Sequence, residues 1–191
     1  MVHTQGVVER PGRLGRIQSE ARRLLERDVL TCDQDMIRSY RDSDAERCCE
    51  IVIACLPLLT DMNKAARDWV RAKNVAEAVN RELSSLFTVV YTEGDLVVGF
   101  GALAEAEVKR VYIDPAHQHR GIGTLLVTTL EEEAVRRRLR SVHLTSRPDA
   151  VSFYLELGYS IDDRETYIID GAEFTVVHMQ KPLPFTANLA T

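Results

Sequence analysis

The sequence predicts an α/β chain of the α+β type: one domain in which a mixed sheet is flanked by helices. Three observations carry that expectation. Apolar residues between Asp44 and Leu83 recur at helical spacing, whereas from Phe87 onward they take the two-residue period of strands. Three strand-like segments then follow one another, and a helix, a strand, a helix and a closing pair of strands come after them. The 191 residues, 45% apolar and 28% charged, suffice for one well-packed core and would be cramped as two.

Residues 1–34 read as an N-terminal extension. Pro11, Gly12 and Gly15 punctuate its start, and Ile17, Ala21, Leu24 and Leu25 then fall at helical spacing among Arg22, Arg23, Glu26 and Arg27. An amphipathic helix that docks on the domain or on a second subunit is expected there, since acids interleave with the arginines of any nucleic-acid arm. The domain proper spans residues 35–185, and residues 186–191 form a tail.

Within the domain, Met36 to Tyr40 reads as the first strand. Asp42, Ser43 and Asp44 supply N-cap oxygens for a helix from Ala45 to Leu59, and Lys64 to Leu83 reads as a second helix. Phe87 to Thr92 and Leu96 to Leu103 are strands joined by a turn at Glu93-Gly94-Asp95, and Ala106 to Ile113 is a third. A long helix from Gly121 to Leu139 carries Glu132 and Glu133 four residues before Arg136 and Arg137, the favourable order for ion pairs on a solvated face. Ser141 to Thr145 is the next strand. Pro148 or Asp149 opens a helix that stops at Gly158, and a hairpin around Gly171 pairs Arg164–Asp170 with Phe174–Gln180.

Charge and cysteine usage narrow the function. A net charge of −5 argues against general nucleic-acid binding, which needs a clustered basic face. Cys32, Cys48, Cys49 and Cys55 match no zinc spacing, so no metal is expected and the thiols read as reduced, as in the cytoplasm. The longest apolar run, Ile51 to Leu59, contains Pro57 and is far short of the ~20 residues that span a bilayer. A cytoplasmic protein without membrane contact is expected.

The most informative stretch is Gln118-His119-Arg120-Gly121-Ile122-Gly123. It lies between a strand that ends at Asp114-Pro115 and the start of the long helix. A helix N-terminus offers backbone N–H groups without internal partners and a partial positive charge, so it can hold a diphosphate. Gly121 and Gly123 remove side chains there, Arg120 adds a charge-assisted contact, and Thr124 adds a hydroxyl. The stretch is no Rossmann fingerprint, because residue 126 is Leu, and it lacks the Gly-Lys-Ser/Thr of a Walker loop.

In its context this loop resembles the acyl-CoA-binding motif of the GNAT acetyltransferase superfamily, Gln/Arg-x-x-Gly-x-Gly/Ala, with Gln118, Gly121 and Gly123 at the defined positions. Glu107 to Pro115 is similar to the family's fourth strand, Phe153 to Tyr159 to its late helix and following strand, and Met179 to Leu183 to its closing strand. The likeness runs from about Met36 to Leu183 in the family's order.

The resemblance implies a mostly antiparallel sheet in which the fourth and fifth strands splay apart. Acetyl-CoA would be the co-substrate, its pantetheine arm lying along Val111, Tyr112 and Ile113 and its pyrophosphate on the amides of His119, Arg120, Gly121, Ile122, Gly123 and Thr124, with Gln118 beside them. A primary amine would attack the thioester directly. Glu107 stands where many members carry the general base, and Tyr154 matches a tyrosine that acts as general acid. The plainer reading of Glu107 is a carboxylate paired with Lys109, and that of Tyr154 is a core aromatic beside Phe153. His178 is a second candidate base. Arg147 replaces the family's usual asparagine, so either Ser146 or Arg147 would make the cofactor contact there. Trp69, Tyr91 and Tyr167 are candidate walls of the acceptor pocket.

A small-molecule amine is the expected acceptor and a homodimer the expected partner state, as in many relatives. The same residues also allow a protein or peptide N-acetyltransferase, or a non-catalytic acyl-CoA-binding regulatory module. A toxin-like enzyme acting on aminoacyl-tRNA fits the acidic balance poorly.

Overall fold

A computed structural model describes residues 36–58, 63–169 and 172–184. The helix expected in the N-terminal extension, the turn at Gly171 and the tail lie outside these residues. The strands are β1 Met36–Ser39, β2 Phe87–Glu93, β3 Leu96–Ala104, β4 Glu107–Ile113, β5 Ser141–Ser146, β6 Ser160–Ile169 and β7 Ala172–Pro182. The helices are α1 Ala45–Cys55, α2 Lys64–Lys73, α3 Ala76–Leu83, α4 Ile122–Arg136 and α5 Val151–Glu156.

The seven strands form one sheet in the order β1-β2-β3-β4-β5-β7-β6. Every neighbouring pair is antiparallel except β4 and β5. That parallel pair has a single rung, Glu107 opposite His143, where the His143 N–H donates to the Ala106 carbonyl at 3.0 Å. Beyond it the two strands part, which is the splay expected of the fourth and fifth strands.

Apolar side chains fill both faces of the sheet. On one face Leu126, Leu130 and Ala134 of α4 pack with Val89, Leu103, Val142 and Val177. On the other, Cys48, Ile51 and Val52 of α1 and Val79 and Leu83 of α3 pack on Val90, Phe100 and Ala102. β3 is therefore buried on both sides, which explains its unbroken apolar run. Cys48 and Cys55 are buried in this second layer, and burial pushes their thiols up to about 12 and about 11 respectively.

The helix expected over Lys64 to Leu83 is two helices. Asn74 leaves helical geometry at φ −104°, ψ 64°, and Val75 is extended. The Asn74 side-chain amide donates to the Val70 carbonyl at 2.7 Å, a local bond that competes with helix continuation. The long helix ends at Arg136, before the expected Leu139. Arg138 takes the left-handed conformation, φ 63°, and its N–H bonds Val135 while that of Leu139 bonds Ala134, a Schellman-type stop. β6 starts at Ser160, earlier than the expected Arg164, because Ser160 already pairs with Gln180. No helix among the described residues is long and apolar enough to cross a membrane.

Candidate active site

A cleft of about 560 Å³ opens where β4 and β5 diverge. Val111 and Ile113 line it from β4, Gln118 to Thr124 contribute His119, Gly121, Ile122 and Gly123 besides their own end residues, and Phe153 and Tyr154 close it from α5. The end of β4, the loop that directly follows it and the later helix α5 thus meet at one gap in the sheet.

The floor of the cleft is the N-terminus of α4. Gly121 is its N-cap with φ 84° and ψ −2°, and no side chain caps the helix. The first amides of α4 face the cleft, which gives it a positive end suited to an anion. Gly121 has open space where a side chain would lie, so its glycine serves the left-handed turn. Gly123 has a different reason. A Cβ there would lie 3.1 Å from Phe153 Cζ and 3.3 Å from Ile113 Cδ1, so this glycine lets α4 close on α5 and β4.

The loop before the helix is fixed by its polar side chains. The Gln118 amide donates to the Ile113 carbonyl at 3.2 Å and so ties the loop to the strand end. Asp114 accepts from the Ala116 N–H at 2.9 Å and pairs with Arg47 of α1, whose Nε also donates to the Val97 carbonyl at 3.0 Å. Burial alone would raise the Asp114 carboxyl, but the Ala116 N–H and Arg47 outweigh it and hold it below the ordinary value. Arg120 pairs at 2.8 Å with Glu93 at the end of β2, and His117 lies 3.6 Å from both Glu93 and Asp114. His119 carries a positive φ of 61°.

Tyr154 is buried, with Phe153 and Tyr159 edge-on at 4.9 and 5.6 Å. Burial, reinforced by the nearby Tyr112, pushes its phenol well above the ordinary value. A phenol is protonated at neutral pH even without this shift. Tyr112 stacks on Phe100 at 5.7 Å in the layer of α1 and α3 and does not line the cleft.

Glu107 stands apart from these residues. It lies on the single β4–β5 rung, with Lys109 Nζ at 3.7 Å, and lines a second cleft of about 560 Å³ with Leu103, Arg137 and His143. The structure thus unites the loop, β4 and Tyr154, and places Glu107 at the closed end of the wedge. His178 bridges Thr145 at 3.4 Å and Glu165 at 3.3 Å on the far side of β5. The buried Ser146 hydroxyl donates to the Arg147 carbonyl at 2.8 Å, and Arg147 Nε lies 3.5 Å from Asp149. Trp69 carries Lys73 over its ring at 5.8 Å, and Tyr167 is exposed on β6. Neither Trp69, Tyr91 nor Tyr167 lines the cleft beside Tyr154.

Sequence reasoning missed His117, Asp149, Ala150, Ser152 and Glu156 as lining residues. Only the proximity of Ser152 and Glu156 to Tyr154 in the chain signalled them. Among the described residues no group of three His, Cys, Asp or Glu side chains gathers to hold a metal ion.

Comparison with known proteins agrees with this geometry. The family described as acetyltransferase (GNAT) domain matches residues 58–183. A GCN5-related N-acetyltransferase from Rhodopseudomonas palustris is similar over 81% of this chain and 99% of its own, at 25% identity and a TM-score of 0.73. The PaiA N-acetyltransferase of Thermoplasma acidophilum, solved in complex with coenzyme A, shares 20% identity over 78% of this chain and 99% of its own, with a TM-score of 0.64. A putative acetyltransferase, YncA, from Salmonella typhimurium, solved with acetyl-CoA, shares 24% identity over 81% of this chain and 96% of its own, with a TM-score of 0.58.

Proposed function

This chain belongs to the GNAT acetyltransferase family, and we propose that it moves an acetyl group from acetyl-CoA to the primary amine of a small molecule by direct attack. The observation that carries the reading is the uncapped N-terminus of α4, which opens into the β4–β5 wedge beside Tyr154.

In this reading the amides of residues 119–124 bind the pyrophosphate, and the edge of β4 at Val111 and Ile113 pairs with the pantetheine arm in place of a neighbouring strand. Thioester aminolysis requires a neutral amine, a stabilised oxyanion and a protonated leaving thiolate. Backbone N–H groups of β4 freed by the splay stabilise the oxyanion. Tyr154, a phenol protonated at neutral pH and lining the cleft, donates to the sulfur as the C–S bond breaks. Glu107, which lines a separate cleft at the closed end of the wedge, accepts the amine proton through water.

Calorimetric titration with acetyl-CoA tests the donor half, and thiol release over a panel of small amines tests the acceptor half. Micromolar binding that is lost in Gly121→Glu, together with turnover on one class of amine, is the expected result. Absent acetyl-CoA binding would remove the reading altogether. Binding without turnover on any amine would reduce the chain to an acyl-CoA-binding module.

A further inference from the structure

The wedge exists because β4 stops following β5 after one rung, and β4 carries a backbone irregularity just beyond it. Lys109 lies opposite Ala102 and Tyr112 opposite Phe100, so Arg110 and Val111 together face the single residue Gly101. Such a bulge bends its strand and increases the local twist. Arg110 adopts φ 57° to make it, a left-handed conformation that disfavours every residue with a Cβ. Gly101 is shaped to the bulge: a Cβ there would sit 3.4 Å from Val111 Cγ2 and 3.2 Å from Leu130 Cδ1.

The bulge decides which side chains face the donor cleft. In a regular strand residues alternate between faces, so Val108 and Val111 would point oppositely. With the extra residue, both pack in the layer that contains α4, and Ile113 joins Val111 in the cleft wall.

Arg110 sends its side chain the other way, to the helices. Nη1 donates to Asn74 Oδ1 and Nη2 to Glu82 Oε2. Glu82 belongs to α3, and the guanidinium–carboxylate pair is largely shielded, with side chains 22% and 31% exposed. Asn74 is the break between α2 and α3, and it is itself held, since its carbonyl accepts the Cys49 thiol at 2.7 Å. The anchor is thus bidentate, charge-assisted and fixed at both ends.

We propose that Arg110 is a positioning residue for acetyl transfer, whose bonds to Asn74 and Glu82 hold β4 in the bulged form that opens the donor wedge. The proposal rests on the wedge being the acetyl-CoA site. Arg110 touches neither the donor nor the reacting atoms. Without its anchor, the unfavourable left-handed residue shifts β4 toward forms that do not present Val111 and Ile113 to the cleft. The apparent dissociation constant for the donor then rises in inverse proportion to the competent fraction.

The test is calorimetry with acetyl-CoA on the wild type, Arg110→Ala and Arg110→Gly, with a melting curve for each. Alanine loses the anchor and keeps the conformational penalty, so the dissociation constant is expected to rise about tenfold. Glycine also loses the anchor but enters positive φ without a Cβ penalty, so binding is expected to return to within about threefold of wild type. A side chain that served general stability alone would lower both melting points and leave donor affinity unmoved. Wild-type affinity in Arg110→Ala overturns the proposal, as does a glycine variant as weak as the alanine one. Should alanine fail to fold, Glu82→Gln replaces it, with an expected weakening of about threefold; unchanged affinity there also overturns the proposal. A wild type that does not bind acetyl-CoA removes the donor-site reading itself, and this inference with it.

Discussion

Gly123 faces Phe153 so closely that a Cβ on the glycine would lie 3.1 Å from the ring's Cζ. This contact locks the start of α4 against α5, and hence the first amides of α4 against Tyr154. Gly123→Ala must push Phe153 or Ile113 aside, and both line the cleft. A stability loss of about 1–3 kcal/mol is expected from overpacking, with weaker acetyl-CoA binding alongside it. Denaturant unfolding and calorimetry check the two effects, and unchanged values of both would contradict the packing role.

Tyr154→Phe removes the one hydroxyl on α5 that the reading assigns to the leaving thiolate. Turnover is expected to fall by roughly 10²–10⁴, while acetyl-CoA affinity stays close to wild type because the ring and its edge contacts with Phe153 and Tyr159 remain. Equal turnover in the two proteins would assign Tyr154 to packing alone.

Glu107 lies outside the cleft that contains Tyr154. Glu107→Gln is therefore expected to leave the donor dissociation constant unchanged and to lower kcat, by roughly 10²–10⁴ if proton transfer limits the step. Raising the pH should recover part of the loss, since a larger share of the amine is then neutral. A weakened donor affinity with unchanged kcat would refute the base assignment.

Arg38 and Asp44 form a two-pronged pair at 2.7 and 2.8 Å, and Asp44 also accepts the Arg41 N–H at 2.8 Å. Burial alone would raise the Asp44 carboxyl, but Arg38 and the Arg41 N–H outweigh it and hold it below its ordinary 3.8. The folded chain therefore binds this proton less readily than the unfolded chain. The resulting stability is fully present above about pH 4 and is lost as the pH falls through the lower folded value. Asp44→Asn is expected to lose about 1–3 kcal/mol at pH 7 and less at pH 3. An equal difference from wild type at both values would contradict this linkage.

Much of the site could be read from residue types. The loop at residues 118–123 announces itself because a tight strand-to-helix turn that packs closely on its neighbours needs glycine, and the spacing of Gly121 and Gly123 after a strand is a local feature. The break at Asn74 could not be read in the same way, since the helical spacing of Ala72, Ala76 and Val79 continues across it. The bulge at Arg110 left a trace that alternation rules pass over: Val108 and Val111 are three apart, yet both are apolar and share a face. The separation of Glu107 from Tyr154 was hidden because it depends on a single rung to His143, a contact between distant segments. The pairing of Arg120 with Glu93 likewise arises from the fold, which brings the end of β2 to the loop.

In the proposed reading acetyl-CoA lies in the β4–β5 wedge with its pyrophosphate on the start of α4. Residue-resolved amide NMR during an acetyl-CoA titration tests this most directly. The largest shifts are expected at the amides of residues 119–124, with a second group at Val111 to Ile113. Shifts confined to the other cleft, around Leu103, Glu107 and His143, or no shifts at saturating acetyl-CoA, would contradict it.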